Sequence, residues 1–365
     1  IANDSLTIPS SLDHRFKQHS HLIRAITAIV VLIFFTLYCA ASFVSGALLF
    51  QVAFQMPYHD ALIISSIIIL VYTMIGGFLA INWIDFFQGS LMLLALIIVP
   101  YFTVIHLHDP HTLSIAFSHI PPNYFQPLHD TPFLSILSLL GWGLGYFGQP
   151  HILTRFMAIR RPNHLIQARY ICMTWMFISL LGAIATGIAG RLFFNTHINN
   201  PEQTFLELTQ SLFPPMLAGA LFSAVLSAMM STVSAQLLTS SSALIADFYA
   251  VFLRKHASQK ELVTVGRVCV LISALAALYF ASNQKNTLLL LVQYAWGGIG
   301  ASFGPIIIIS LFWKRTTSQG ALAGILVGAF TVIGWKTFLA PLGGIWTLYE
   351  IIPGFLLSCL AIFIT

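Results

Sequence analysis

Two segments of the sequence combine residue types that suit a binding site. The first is Gly141–Pro150, GWGLGYFGQP, in which four glycines precede Pro150. Glycine and proline both weaken a helix, so this segment predicts an interrupted helix. Backbone groups freed inside an apolar span must be satisfied by protein or by a water-filled cavity, and helix ends exposed in this way can bind charged groups. Close helix packing through small residues is the alternative explanation.

Two aromatic residues accompany these glycines. Trp142 and Tyr146 are four positions apart, so they share one face if the helix continues. Their rings could cover an apolar part of a ligand. Aromatic residues also concentrate at membrane interfaces, and that is the alternative for this pair.

The second segment is Ser223–Ser234, which carries small and hydroxyl-bearing residues at helical spacing. Serines recur every four positions up to Ser231, and Ala224, Ala228 and Thr232 repeat in the same way. Hard cations prefer oxygen ligands, and adjacent Ser231 and Thr232 could supply two. Polar contacts between helices explain the same stripe, and the residues alone favour that interpretation.

Other candidates are weaker. Asp85 opens an apolar segment, where capping a helix is its simplest role. The GxxxGxxxG pattern of Gly320–Gly328 predicts a packing face. Metal-ligand spacing is conceivable at the edge of a span for three histidines, but nothing else converges on them: His106, His108 and His111. No catalytic triad, phosphate-binding loop or Cys-His cluster occurs in a supporting context, so we expect neither an enzyme nor a bound cofactor.

The elements that must position these residues are membrane helices. Charged residues make up 7% of the chain and hydrophobic residues 58%, with a mean hydropathy of +0.87, whereas soluble domains carry about 25% charged residues. The four cysteines all fall in apolar segments and predict no disulfide. An all-α polytopic membrane domain is therefore expected, with ten spans at about 22–50, 60–80, 85–107, 132–150, 168–193, 215–245, 262–282, 286–313, 319–338 and 346–365.

Basic residues predict the orientation. With both ends of the chain on the cytoplasmic side, only three of the 16 basic residues face outward, namely Arg191, Lys285 and Lys336. This asymmetry is the one expected for membrane proteins. The short basic loops would meet anionic lipid headgroups rather than nucleic acid. Ionisable groups are scarce at the centres of the spans, which argues against a proton relay and suits Na⁺ together with a zwitterion of no net charge.

Several segments resemble the sodium/solute symporter family, and in particular its proline-transporting branch. The likeness runs along nearly the whole chain. The segments that carry it are Gly141–His151 (GWGLGYFGQPH), Tyr72–Ala80 (YTMIGGFLA), Met230–Ser234, Leu253–Leu262 and Tyr349–Phe355. The resemblance implies a LeuT-type inverted-repeat fold and sodium-coupled uptake of L-proline across the bacterial inner membrane, with Na⁺ as the coupling ion.

The resemblance also implies roles for single residues. Trp142, Tyr146 and Pro150 match positions that line the proline site. A sodium site is implied at Ala228 (through its carbonyl), Ser231 and Thr232, against the preference drawn from the residues alone. Asp85 matches an acidic position that affects sodium dependence.

The family pattern further divides the single transmembrane domain 1–365. Residues 22–107 correspond to the remainder of a first repeat, 132–313 to the second repeat, and 319–365 to peripheral helices. About three further spans are expected before Ile1 and additional chain after Thr365, so the sequence is expected to be incomplete at both ends. Two other interpretations stay open: the membrane domain of a transporter-like sensor, and a truncated symporter without function.

The predicted orientation is testable by labelling introduced cysteines in a cysteine-free background. A cysteine replacing Asn123, in the 111–128 loop, should react with an impermeant thiol reagent added outside intact cells. A cysteine replacing Asn163, beside Arg160, should react only after permeabilisation. Labelling with the opposite sidedness would overturn the orientation inferred from the basic residues.

Overall fold

Nearly all of the described chain is helical. The structure, a computed structural model, describes residues 12, 15–16, 20–75, 78–107, 114, 116–118, 120–126, 128–159, 161–194, 200–245, 249, 254, 257–283 and 287–365. Its α-helices within those residues are α1 (Ser20–Phe54), α2 (Tyr58–Ile75), α3 (Phe78–His106), α4 (Phe133–Gly145), α5 (Pro150–Met157), α6 (His164–Phe194), α7 (Thr204–Leu212), α8 (Pro215–Ala243), α9 (Gln259–Ala281), α10 (Leu288–Phe312), α11 (Ser318–Gly334) and α12 (Ile351–Ile364).

Each of the ten predicted spans overlaps one apolar helix of the described chain. Seven of these helices are long and apolar enough to cross a membrane, and three further apolar helices are shorter. The all-α, multi-pass membrane architecture predicted from composition is therefore confirmed. Apolar runs predict it well because a helix satisfies its own backbone hydrogen bonds within a single segment.

Two helices begin elsewhere than predicted. The stretch of α3 that is apolar enough to cross a membrane begins at Trp83, close to the predicted 85, but the helix itself begins at Phe78, so Asp85 lies inside α3 and does not cap it. The residues from Phe78 onward are themselves apolar and extend the helix upstream of the single carboxylate. The last helix begins at Ile351 rather than at 346, because Gly343 and Gly344 adopt φ of 74° and 62°. Such left-handed backbone suits glycine and separates α11 from α12.

The helices form two compact units, each assembled from separate stretches of chain. Unit 1 takes residues 1–41, 131–160 and 235–365, and unit 2 takes 42–130 and 161–234. The division of the chain into two repeats and peripheral helices stays a prediction, because these units follow spatial contacts and not sequence order.

Unit 1 is built on α10, α11 and α12, which pack closely through small residues. α10 is the most buried of the seven long apolar helices. The predicted glycine face of α11 is confirmed as a packing face: a Cβ on Gly328 would lie 2.9 Å from the Ser302 Cα of α10, and one on Gly324 would meet Ile362 of α12 at 2.5 Å. The Ser358 hydroxyl donates to the Gly324 carbonyl at 2.8 Å, joining α12 to α11.

In unit 2, α3 packs against α6 and α7. Gly182 of α6 leaves no room for a side chain, since a Cβ there would lie 2.6 Å from the Leu96 carbonyl oxygen. The Trp175 indole donates to the Gly89 carbonyl at 3.4 Å. A small apolar core formed by Ala95, Val99, Leu208, Leu221 and Ala224 joins α3, α7 and α8.

Hydroxyl side chains cap three helices of unit 1. Ser258, Thr287 and Thr317 precede α9, α10 and α11, and each accepts a hydrogen bond from a backbone N–H of the first turn. Such caps satisfy donors that a helix cannot satisfy itself. In the first turn of α9, the Glu261 carboxylate also accepts from the Tyr249 hydroxyl at 2.7 Å and from Arg254 at 2.6 Å.

These bonds change the acidity of the loop residues. The hydrogen bond to the Glu261 carboxylate raises the pKa of the Tyr249 hydroxyl, because loss of the phenolic proton would place two negative oxygens side by side. The same partner raises the pKa of Arg254. The chain before α9 is therefore bonded to the first turn of that helix by the Arg254–Glu261 ion pair and by the neutral Tyr249 hydroxyl.

Replacing Gly328 by Ala should lower the stability of the folded protein by about 1–3 kcal/mol, because the added methyl group collides with α10. Gly334 is the matched control: it ends the same helix and has nothing within 4 Å of its Cβ position. Gly334→Ala should be neutral or stabilising by up to about 1 kcal/mol. Thermal unfolding in detergent measures both, and equal shifts would contradict the tight α10–α11 contact.

Candidate functional site

The glycine-rich segment is interrupted, as the sequence predicts. α4 ends at Gly145, residues Tyr146–Gly148 form one 3₁₀ turn, and α5 resumes at Pro150. Gln149 between them is extended, with φ −75° and ψ 109°. A residue before proline is driven toward extended backbone, and proline suits the first position of a helix because it needs no N–H donor there. Pro150 thus both ends one helical segment and begins the next.

Close packing, the alternative interpretation of the same glycines, is also present. A Cβ on Gly148 would lie 2.8 Å from both the Gly304 nitrogen and the Ile299 oxygen of α10. A Cβ on Gly300 would lie 2.6 Å from the Gly145 Cα. The backbone of the interrupted segment therefore contacts the backbone of α10. The glycines both interrupt the helix and allow close helix packing.

Two hydrogen bonds join α10 to the chain around the interruption. The Trp296 indole N–H donates to the Trp142 carbonyl at 3.1 Å. The Gln149 side-chain amide donates a long hydrogen bond, 3.5 Å, to the Trp296 carbonyl. Both partners are supplied by protein, as an interruption inside an apolar span requires.

Aromatic rings gather on Trp296. The ring centroid of Tyr146 lies 4.9 Å from that of Trp296 in an edge-to-face arrangement, and that of Trp142 lies 6.3 Å away. Tyr38 of α1 is 6.4 Å from Trp296, and Tyr349 is 5.7 Å from Trp142. The structure thus brings together the two predicted rings, and it adds three that sequence reasoning missed.

Exposure divides these rings into two kinds. Trp296 is 7% exposed, whereas Tyr146 is 51% exposed. Tyr146 therefore presents a free ring surface with Trp296 behind it. Pro150, the third predicted substrate residue, is buried at the start of α5. Its neighbour His151 packs its ring against Phe35 at a centroid distance of 5.5 Å.

The predicted sodium residues lie together in unit 2. The Ser231 and Thr232 hydroxyls both donate to the Ala228 carbonyl, at 3.0 and 2.9 Å. The structure thus gathers three oxygens within one turn of α8. Such bonds to the preceding turn are common for hydroxyls in helices. An oxygen cluster of this kind suits a hard cation, and it equally satisfies the hydroxyls without one.

A cavity of about 360 Å³ borders this turn within unit 2. Ala224, Val225 and Ala228 form its α8 side, and most of the remaining surface is apolar. The other lining residues come from α3, α6 and the chain around the start of α7: Met92, Ala95, Leu96, Ala183, Thr186, Gly187, Pro201, Glu202, Thr204 and Phe205.

The remaining candidates are placed as follows. Asp85 lies within α3 and interacts electrostatically with the Tyr72 hydroxyl. His106 packs on Phe193 with ring centroids 5.9 Å apart, while His108 and His111 fall outside the described residues. Among the residues that the structure does describe, no group of three His, Cys, Asp or Glu side chains is arranged to hold a metal ion.

A discontinuous helix in an all-helical membrane chain is typical of secondary transporters. The chain belongs to the sodium:solute symporter family, which matches residues 1–328.

Its relatives include two bacterial proteins of similar sequence. The sodium/proline symporter of Escherichia coli (strain K12) is 48% identical over 367 residues, which cover 99% of this chain and 72% of the relative. The high-affinity proline transporter PutP of Bacillus subtilis (strain 168) is 46% identical over 365 residues, covering 99% of this chain and 76% of the relative.

The fold also matches a solved structure. A Na⁺-coupled sialic acid symporter in a substrate-bound, outward-open state aligns with a TM-score of 0.77 at 16% identity. The alignment covers 98% of this chain and 76% of that one. This likeness confirms the LeuT-type fold that the resemblance implied.

Proposed function

We propose that the protein is a sodium-coupled symporter that takes up L-proline across the bacterial inner membrane. The observation that carries this proposal is the half-exposed Tyr146 ring, which packs on Trp296 at a helix interruption, in a chain 48% identical to a sodium/proline symporter. The process is transport, in which no covalent bond is made or broken. Both ends of the chain lie on the cytoplasmic side, as the distribution of basic residues predicts.

The interruption accounts for both parts of the proline molecule. The pyrrolidine ring packs on the aromatic faces of Trp142 and Tyr146, since such rings cover apolar groups well. Pro150 maintains the helix interruption and is the first residue of α5. The amino end of α5 carries the partial positive charge that favours a carboxylate. The ligand therefore needs no charged side chain from the protein, which agrees with its lack of net charge.

Replacing Tyr146 by Ala should weaken proline binding by about 1–3 kcal/mol, the range expected for losing a well-packed ring. Sodium binding measured without proline should change much less. Adjacent Phe147 is the matched control, because its side chain is 50% exposed while that of Tyr146 is 51% exposed. Phe147→Ala should keep the proline affinity. Unchanged proline binding in a well-folded Tyr146→Ala protein would contradict the substrate assignment.

The coupling ion binds at the three clustered oxygens of α8. Sodium takes the Ala228 carbonyl and the Ser231 and Thr232 hydroxyl oxygens as ligands, since hard cations prefer neutral or anionic oxygen. Sodium binding stabilises the outward-open state and raises the affinity for proline, which is a coupling free energy between two sites. Asp85 contributes to sodium dependence from α3 of the same unit.

Replacing Thr232 by Ala should raise the sodium concentration for half-maximal uptake about 10- to 100-fold, because losing a bond to a charged partner costs roughly 1.5–3 kcal/mol. Thr239→Ala is the matched control: its hydroxyl bonds to the Ala235 carbonyl at 2.7 Å, in the same helix and with the same geometry. Sodium-dependent uptake in proteoliposomes measures both variants. If Thr232→Ala and Thr239→Ala showed the same sodium dependence, the sodium assignment would be contradicted, and Ser231 and Thr232 would serve only helix packing.

A further inference from the structure

Trp296 of α10 contacts the chain both before and within the helix interruption. Its indole N–H bonds to the Trp142 carbonyl, which precedes the interruption, and its own carbonyl accepts from Gln149 within it. These groups are more than 140 residues apart in sequence. One residue of α10 is therefore hydrogen-bonded to two points of the segment that carries Trp142 and Tyr146, the aromatic residues proposed to contact proline.

The indole also occupies the space above Gly145. A Cβ added to Gly145 would collide with the Nε1, Cδ1 and Cε2 atoms of Trp296. The contact is therefore possible only because position 145 lacks a side chain. Gly145 and Trp296 form a matched pair, in which the ring rests directly on the backbone between Trp142 and Tyr146.

Burial separates the role of Trp296 from that of the rings in front of it. With 7% exposure, its indole offers little surface to a ligand. Its edge-to-face contact with Tyr146, at 4.9 Å, and its bond to the Trp142 backbone instead restrain half-exposed Tyr146 and partly buried Trp142. A residue that acts only through these two would be a positioning residue.

We propose that Trp296 is the positioning residue of the proline site: it sets the spacing of Trp142 and Tyr146 and thereby both affinity and selectivity for a five-membered ring. This inference rests on the proposed function. Without the indole N–H, the hydrogen bond that joins α10 to the Trp142 carbonyl is lost, and the interruption gains freedom. The site then fits proline less closely and discriminates less well against larger rings.

The sharpest test replaces Trp296 with benzothienylalanine, which keeps the shape of indole but has sulfur in place of the N–H group. Trp296→Phe provides a second variant made of natural residues. Trp175 is the matched control, because its indole donates to the Gly89 carbonyl between two helices of unit 2. The same two replacements at Trp175 remove a comparable bond within unit 2. All variants are made in the full-length gene product and compared in proteoliposomes.

For the Trp296 variants, the proline concentration for half-maximal uptake should rise about five- to tenfold, with the maximal rate and the sodium dependence within about twofold of wild type. Preference for proline over pipecolic acid, its six-membered homologue, should fall. The Trp175 variants should keep both values. Merely structural damage would lower the maximal rate and abundance without changing this preference.

A second measurement does not depend on the identity of the substrate. Amide hydrogen exchange in the peptide covering Gly141–His151 should be faster in the benzothienylalanine variant than in wild type, even without ligand. Wild-type protein that takes up no proline would contradict the proposed function. Unchanged exchange together with unchanged proline affinity and selectivity in the Trp296 variants would overturn the role of Trp296.

Discussion

The arrangement of unit 1 depends on one close contact, in which the chain around the helix interruption lies directly against the backbone of α10. A Cβ on Gly148 would lie 2.8 Å from the Gly304 nitrogen, and a Cβ on Gly300 would lie 2.6 Å from the Gly145 Cα. The Trp296 indole lies over Gly145 and donates to the Trp142 carbonyl of α4 at 3.1 Å. Glycines are needed in both facing segments because the indole reaches this carbonyl only if the two segments approach to backbone contact.

The fold could be predicted from the sequence because membrane helices are local structures. Each apolar run satisfies its own hydrogen bonds, so ten runs predicted ten helical segments without knowledge of their packing. The boundaries at Phe78 and Ile351 could not be placed in this way. In the first case an isolated carboxylate was mistaken for a helix start. In the second, the two consecutive left-handed glycines before α12 could not be recognised from an otherwise apolar run.

The site was predictable only where its residues are close in sequence. Trp142 and Tyr146 are four positions apart, and Ser231 and Thr232 share one turn with Ala228, so helical geometry alone brings each group together. Trp296 acts on a carbonyl 154 residues away, and nothing in the α10 sequence indicates that partner. The choice between a cation site and helix packing at Ser231 and Thr232 was likewise beyond the residues themselves. Their hydroxyl bonds are compatible with both roles.

The hydrogen bonds of the Ser231 and Thr232 hydroxyls affect how readily a sodium ion would leave the proposed site. A transporter must release its ion in every cycle. Oxygens that had no hydrogen-bond partner once the ion had left would oppose that release. At the proposed sodium site the Ala228 carbonyl accepts from two hydroxyls of its own helix, so these oxygens have hydrogen-bond partners without an ion. Binding and release of sodium at such a site would exchange internal hydrogen bonds for metal ligation, which would favour rapid turnover over tight retention.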